Sequence, residues 1–414
     1  MRRLSRIEPP DVYLLGITVA LVAVGVLLVF DASYAKTADL RAFGFDTWYL
    51  AKRQMIFAAI GLICMLCASR VSVDLLRKLA VPLMVLSFVL LTAVLLPGIG
   101  CKVNGARSWF KIGPISFQPA ELAKLILVLY LAHALGGARV FARRARRRWA
   151  GPLWATAGIV GLVAAEHDLG SAALLAAVAL VMFAAAGAKL RWLVPAGACG
   201  LVLVYVLMCN VPHCKERVDS WGDPWGHRYG KGYQIVHALI GFGTGGLTGV
   251  GLGEGRVKSY IPAASTDYIY ATVAEETGLL GSLALLAGFV VFAYRGLDVA
   301  RQCSSTHSSL IVIGVISAVT VQALVNLAVA TNAIPATGLP LPFISYGGSS
   351  LVIMLTGVGL VLSVSRHLHA ESDERELDED SPDRRRNRRA HLPGHQHRAG
   401  ALRGRAGYRA ALRR

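Results

Sequence analysis

Four groups of charged residues stand in or beside long apolar stretches of this 414-residue chain, where a charge is costly and marks function by default. In Gln118-Pro119-Ala120-Glu121-Leu122-Ala123-Lys124, the carboxylate of Glu121 and the amine of Lys124 are three residues apart and share one helix face. Pro119 suits the first turn of that helix. The pair can satisfy itself as an internal ion pair, serve a substrate, or do both. Asp267, in Ser265-Thr266-Asp267-Tyr268, precedes a later apolar stretch whose first turn holds Glu275 and Glu276. Thr266 or Asp267 as N-cap, with the glutamates at the positive helix end, would account for these residues without chemistry. A third group, Glu166, His167 and Asp168, sits in a tight turn that needs polar residues in any case. The fourth is a set of cations, Lys102, Arg107, Lys111, Arg228, Lys231 and Lys258, all on the side of the membrane that basic residues normally avoid. An anion would justify them there, and phosphate groups are the natural candidates. With Trp109, Trp221, Trp225 and Tyr229 and a Gly-rich backbone, these groups describe an outward-facing cavity for a lipid-linked saccharide. Aromatic faces and carboxylates suit a sugar, and cations suit its phosphate.

The elements that must position these residues follow from composition. A/V/I/L/M/F/W/Y/C make up 55% of the chain and charged residues only 16%. With the 43 glycines the apolar share reaches about 65%, against about 45–50% for a soluble domain. Such a chain cannot cover a soluble surface with polar groups, and its net charge of +18 calls for a membrane protein with basic residues sorted to one side. A bilayer crossing needs about 20 apolar residues. Ten stretches qualify, at roughly 12–30, 50–69, 79–96, 120–137, 150–165, 169–188, 192–208, 272–294, 308–330 and 347–364. Each is read as a helix, the one way a single span can satisfy its backbone in lipid. The predicted fold is therefore all-α and polytopic. With both termini cytoplasmic, 29 of the 43 basic residues fall inside, among them Arg2, Arg3, Arg6 and the Arg139–Arg148 cluster. Nothing resembling a signal-peptide cleavage site follows the first span.

Residues 1–365 thus form the membrane domain, and two outer loops, 97–119 and 209–271, stand out. The longer one is rich in Pro, Gly, Trp and Tyr and holds an apolar piece, Tyr233–Phe242, too short to span. Residues 366–414 differ: eight acids between Glu371 and Asp383 precede Arg- and His-rich sequence, which predicts a disordered charged cytoplasmic tail. No internal repeat is visible.

Other patterns carry less. Gly241, Gly243 and Gly246 fit G-x-G-x-x-G without the strand a nucleotide site needs. Cys64 and Cys67 read as buried thiols, whereas Cys209 and Cys214, near His213, could pair outside; a zinc site there lacks an evident fourth ligand. The Arg139–Arg148 cluster flanks a span, so orientation and anionic lipid explain it without nucleic acid.

Three blocks resemble the SEDS family (shape, elongation, division and sporulation proteins; the RodA/FtsW group). The first is Asn104-Gly105-Ala106-Arg107-Ser108-Trp109 with Phe117-Gln118-Pro119-Ala120-Glu121-Leu122-Ala123-Lys124. Gly232-Tyr233-Gln234, the Gly-rich run to Gly255, Thr266-Asp267-Tyr268-Ile269-Tyr270-Ala271 and Glu275-Glu276 make the second. The third is Pro335-Ala336-Thr337-Gly338-Leu339-Pro340-Leu341-Pro342-Phe343-Ile344-Ser345-Tyr346-Gly347-Gly348-Ser349-Ser350. Similarity runs in order over about residues 12–366, with the ten helices of that family.

The resemblance implies a peptidoglycan glycosyltransferase of the bacterial cytoplasmic membrane. It would polymerise lipid II, a disaccharide-pentapeptide on undecaprenyl pyrophosphate, beside a class B penicillin-binding protein. Asp267 matches the family's essential aspartate, and Glu121 and Lys124 its charged pair; Arg107 and Trp109 match the first outer loop motif. Lys231, Gln234, Lys258 and Glu275 complete the candidate substrate contacts. A sugar hydroxyl losing its proton to Asp267 while it attacks the anomeric carbon would suffice for an inverting transfer. Arg107, Lys124, another outer cation or a divalent ion (magnesium or manganese) would neutralise the pyrophosphate. His167, His237, Ser265, Tyr268 and Tyr270 depart from the usual residues, while Asp267 is kept. Asp223-Pro224-Trp225 leans towards the division branch. A lipid II flippase and a non-catalytic scaffold for the penicillin-binding protein are the alternative functions.

Overall fold

Every apolar stretch read from the sequence becomes a helix in the computed structural model, which describes residues 10–39, 46–103, 105–113, 115–136 and 145–379. Arg2, Arg3, Arg6, Asn104, Arg139, Arg143, Arg144 and residues 380–414 lie outside the described residues. The ten corresponding helices are α1 (Val12–Asp39), α2 (Tyr49–Ala68), α3 (Val73–Leu95), α4 (Pro119–Gly136), α5 (Ala145–Ala165), α6 (Leu169–Ala185), α7 (Leu190–Asn210), α11 (Ile269–Gln302), α12 (Thr306–Ala330) and α13 (Gly348–Glu379). Eight of these are long and apolar enough to cross a membrane. The other two, α5 and α6, offer the shorter apolar stretches Trp149–Ala165 and Leu169–Ala185. Because α6 packs against α4, α5, α7 and α12, it is enclosed largely by protein.

Burial separates inner from outer helices. In α4, α12 and the α13 segment Gly348–Leu368, some 61–67% of the span is buried, against 6% in α7. Leu190, Trp192, Val194, Leu201 and Val202 of α7 stand exposed, as side chains facing lipid would. The chain divides after Leu368 into two units, and the helices and loops that carry the candidate site belong to the first, Met1–Leu368.

The outer loops are built rather than loose. Residues 97–119 fold into three antiparallel strands, β1 (Cys101–Val103), β2 (Ala106–Ile112) and β3 (Ile115–Phe117), in the order β1-β2-β3. Lys102 pairs with Arg107, and Phe110 with Phe117. This small sheet adds to the all-helical expectation. Its sequence signal was the Asn104-Gly105 dipeptide, a strong hairpin turn signature, and Gly105 takes φ +88°.

Residues 209–271 hold α8 (Pro212–Gly222), α9 (Tyr233–Gly245) and the short α10 (Val257–Tyr260). The helix α9 packs along α11, and the Gly-rich run after it inserts where α11 breaks at Gly278 (φ 65°, ψ −162°). The freed backbone groups find partners in that run: Leu279 N–H donates to Gly246 O at 2.9 Å, and Val250 N–H to Glu275 O at 3.0 Å. A Cβ at Gly278 would collide with the backbone nitrogen of Gly249. This insertion lies about 15 Å along α11 from its outer end, at a rise of ~1.5 Å per residue. Leu247 and Leu252 there are 69% and 75% exposed, which suits lipid rather than water. Tyr233–Phe242 therefore lies in a helix packed along α11 and too short to cross a bilayer.

Candidate active site

Segments distant in sequence line one outward cavity of about 410 Å³. Strand β2 contributes Ser108 and Trp109, α4 contributes Glu121, and the turn before α6 contributes His167 and Asp168. From the longer outer loop come Arg217 of α8 and Asp267, and Thr337–Gly338 and Gly347–Ser350 come from the α12–α13 connection. Arg53 of α2 closes a further side.

Glu121 is held as its spacing predicts. It is 2% exposed, its Oε2 lies 2.8 Å from Lys124 Nζ, and Ser350 Oγ donates to the same oxygen at 2.8 Å. Lys124 also donates to Gln322 Oε1 at 2.7 Å. The ion pair is therefore internal, with Glu121 at the cavity wall and Lys124 behind it.

Asp267 stands in the turn that leads into α11, its backbone carbonyl accepting from Asn326 Nδ2 at 3.0 Å. Among the described residues no group hydrogen-bonds its carboxylate, which faces the cavity. Burial pushes that carboxyl up to about 6, and only the nearby Arg217 guanidinium works against the rise. Asp168 differs in having both oxygens engaged. Oδ1 caps α6 by accepting from Ser171 N–H at 3.0 Å, and Oδ2 accepts from Gln118 Nε2 at 2.8 Å.

The guanidiniums that reach this cavity are Arg53 and Arg217, neither of them among the outer cations singled out from the sequence. Arg217 donates to Ala336 O at 3.2 Å. Its helix α8 is fastened to the turn after α12, where Trp221 Nε1 donates to Asn332 O at 3.0 Å. The bias of basic residues tells which side of the membrane a cation occupies; it cannot tell which one a loop helix turns inward.

The remaining sequence candidates divide accordingly. Trp109, Glu121 and Asp267 meet at the cavity, with Lys124 directly behind. Arg107 does not line it: its Nη1 donates to Leu95 O at 3.1 Å. Lys231 pairs on the surface with Glu216 at 3.4 Å, and Gln234 of α9 lies off the lining. Lys258 is buried in a second network, 2.6 Å from both Asp31 and Glu276. Glu275 accepts from the N–H groups of Arg256 and Val257 at 3.1 and 2.9 Å, and Glu276 from those of Gly253 and Gly255 at 3.1 and 3.2 Å. These glutamates pin the Gly-rich run to α11 instead of capping their own helix. Cys209 and Cys214 are not joined in a disulfide, and among the described residues no group of three His, Cys, Asp or Glu side chains converges as a metal cage.

Beside the cavity, Glu166 is fully buried with neither carboxyl oxygen hydrogen-bonded among the described residues. Burial, and then the charge of Asp168, push it up to about 8. An acid whose folded pKa is raised loses stability as pH climbs from its unfolded value, near 4.5, through 8. Glu166→Gln is therefore expected to raise the thermal midpoint in detergent, and to raise it more at pH 8 than at pH 5. A tenfold change in proton affinity corresponds to about 1.4 kcal/mol, so the gain at pH 8 is on the order of a few kcal/mol. An equal gain at the two pH values would show that the carboxyl is compensated.

The sequence pattern of the cell cycle protein family FtsW/RodA/SpoVE matches residues 12–370. The chain belongs to this family. Among FtsW/RodA/SpoVE relatives, stage V sporulation protein E of Bacillus subtilis (strain 168) is 37% identical, the match covering 86% of this chain and 97% of the relative. A probable peptidoglycan glycosyltransferase FtsW of Nitrosococcus halophilus (strain Nc4) is 40% identical, with 86% and 92% covered. Of solved structures, a peptidoglycan synthase complex that coordinates polymerization and crosslinking contains a chain 32% identical. It superposes with a TM-score of 0.71 over 87% of this chain and 98% of that one. The rod shape determining protein RodA of Thermus thermophilus matches at 32% identity and a TM-score of 0.64, over 86% and 97%. The chain is thus a multi-pass bacterial membrane protein of the FtsW/RodA/SpoVE family, with peptidoglycan glycosyltransferase homologues.

Proposed function

We propose that this chain polymerises lipid II into glycan strands at the outer face of the cytoplasmic membrane, with Asp267 as general base. The observation that carries the reading is the cavity itself, lined by two guanidinium groups and by one carboxylate that, among the described residues, has no hydrogen bond. The acceptor sugar's 4-hydroxyl oxygen attacks the anomeric carbon of the donor, and its proton passes to Asp267. The bond from that carbon to the pyrophosphate oxygen breaks, and undecaprenyl pyrophosphate leaves with the electron pair. Arg217 and Arg53 balance the charge that develops on it, planar forks being suited to phosphate oxygens. Trp109 offers its ring face to a sugar.

A divalent ion fits this site only as magnesium on phosphate substrates commonly does, with one or two carboxylates and the rest from substrate and water. Glu121 and Asp168 are already engaged, which leaves Asp267 as the available ligand. The likeness to a synthase complex that couples polymerization to crosslinking supports a class B penicillin-binding protein as the partner.

The test is direct. Purified protein, with and without such a partner, is incubated with labelled lipid II and the products are separated by size. Glycan polymer is the expected result; translocation without polymer would make it a flippase, and neither would leave a scaffold. Because the base acts deprotonated and its pKa is about 6, the rate is expected to climb through pH 6 and level off above pH 7. A rate that falls as pH rises over this range would exclude Asp267 as base.

A further inference from the structure

The segment that carries Asp267 is gripped along three consecutive carbonyl groups. Ser265 O accepts from Tyr346 N–H at 2.8 Å, Thr266 O from Ser345 Oγ, and Asp267 O from Asn326 Nδ2 at 3.0 Å. Two of the donors belong to the α12–α13 connection and the third to α12. That connection is itself held from several sides. Asn326 Nδ2 donates to Leu339 O at 2.8 Å and Gln322 Nε2 to Pro340 O at 2.8 Å, while Gln54 Nε2 reaches Ser345 O at 3.3 Å. Its Phe343 sits at φ 64°, an unfavourable backbone for a bulky residue, and is kept there by a buried ring packed edge-on against Phe292. A Cβ on Gly25 of α1 would collide with the Phe343 carbonyl oxygen, so α1 closes against the same point.

Asn326 and Gln322 are four residues apart on one face of α12, and both are buried, at 1% and 0% exposure. Each bridges two partners. Asn326 joins the Asp267 backbone to Leu339, and Gln322 joins Lys124, hence the Glu121–Lys124 pair, to Pro340. Amide side chains in an apolar span are expensive without partners, and here Asn326 gives both N–H donors to backbone carbonyls, while Gln322 donates to one and accepts from Lys124.

We infer that Asn326 is a positioning residue for Asp267, and that Gln322 and Ser345 complete the brace that fixes the base against the wall formed by Glu121. The inference rests on the reading of Asp267 as the base. None of the three needs to touch substrate. Their work is to hold a cavity-facing carboxylate whose own oxygens, among the described residues, have no hydrogen bond to restrain them.

Asn326→Ala removes the amide that serves both carbonyls. The expected result is a kcat lower by about 10- to 100-fold, the cost of a base displaced by about 1 Å, with KM within twofold of wild type. The pH midpoint near 6 should move as the environment of Asp267 changes. Ser345→Ala, which removes one clamp on the neighbouring carbonyl, should lower kcat by less. Its loss should not multiply with that of Asn326→Ala, because the two act on one segment. Hydrogen exchange supplies a readout that needs no turnover: the Tyr346 amide should exchange faster in Asn326→Ala than in wild type. If the variant is too unstable to purify, Ser345→Ala and its exchange at Tyr346 decide the matter alone. Unchanged kcat and pH midpoint, or unchanged exchange at Tyr346, would overturn the inference. Failure of wild-type protein to make polymer would instead sink the proposed function, leaving the exchange result to stand by itself.

Discussion

Asp267→Asn is expected to lower the rate of glycan polymerisation by about 10²–10⁴-fold, the range that a positioned general base contributes. The amide keeps the shape and the position, so on the proposed reading substrate binding should be unchanged. It cannot take the proton. Stability should not suffer, because an ionised Asp267 opposes folding at neutral pH: its folded pKa of about 6 lies above the ordinary 3.8, so folding loses free energy as pH rises between those values. The neutral asparagine removes that penalty. The decisive measurement is single-batch product sizing of wild type and variant at equal folded concentration, alongside their thermal midpoints. Polymer of normal length at a normal rate from the variant would remove Asp267 from the mechanism.

Lys124→Met should be the most destabilising single change around the cavity, by about 3–5 kcal/mol, because it strands the Glu121 carboxylate. Glu121 and Lys124 have side chains 3% and 7% exposed, and the next partner of Glu121, Ser350, supplies a single hydroxyl. An uncompensated buried charge costs far more than the net worth of the pair it came from. Replacing both, as Glu121→Gln with Lys124→Met, should therefore recover most of the loss, leaving the double variant more stable than Lys124→Met alone. Unfolding in detergent, followed for wild type, both single variants and the double, closes the cycle. Simple additivity of the two single changes would show that the pair is not coupled. Activity should follow stability only in part, because Lys124 also orients Gln322.

Together the two variants separate chemistry from architecture in a cavity where both use carboxylates. Glu121 has its oxygens filled by Lys124 and Ser350, and Asp168 has its own filled by Ser171 and Gln118. Asp267 alone of these three is left for a substrate. Carboxylates that look alike in sequence are therefore told apart by what occupies their lone pairs.

Much of this was legible in the chain. A bilayer imposes a one-dimensional rule, since a stretch of apolar residues long enough to cross must be a helix, and the ten helices fall where that rule placed them. Local spacing did the same for Glu121 and Lys124, because residues three apart on a helix are neighbours whatever the rest of the protein does. Asp267 was a candidate because a carboxylate at a membrane boundary is costly enough to need a reason, and the resemblance to the SEDS family singled it out from a capping role. What only the tertiary structure decided is which distant residues share a wall. Arg217 approaches Asp267, and Arg53 reaches the same cavity, through the packing of α8 and α2, a long-range event with no trace in spacing. Lys258 and Glu275 were drawn away by the same means, into the network that pins a Gly-rich run at the break in α11. Charge along a sequence reports the side of the membrane, because the bilayer sorts charge in one dimension. Packing in three dimensions chooses the few that face one another, and it holds them with buried amides such as Asn326 that a hydropathy reading passes over as minor interruptions.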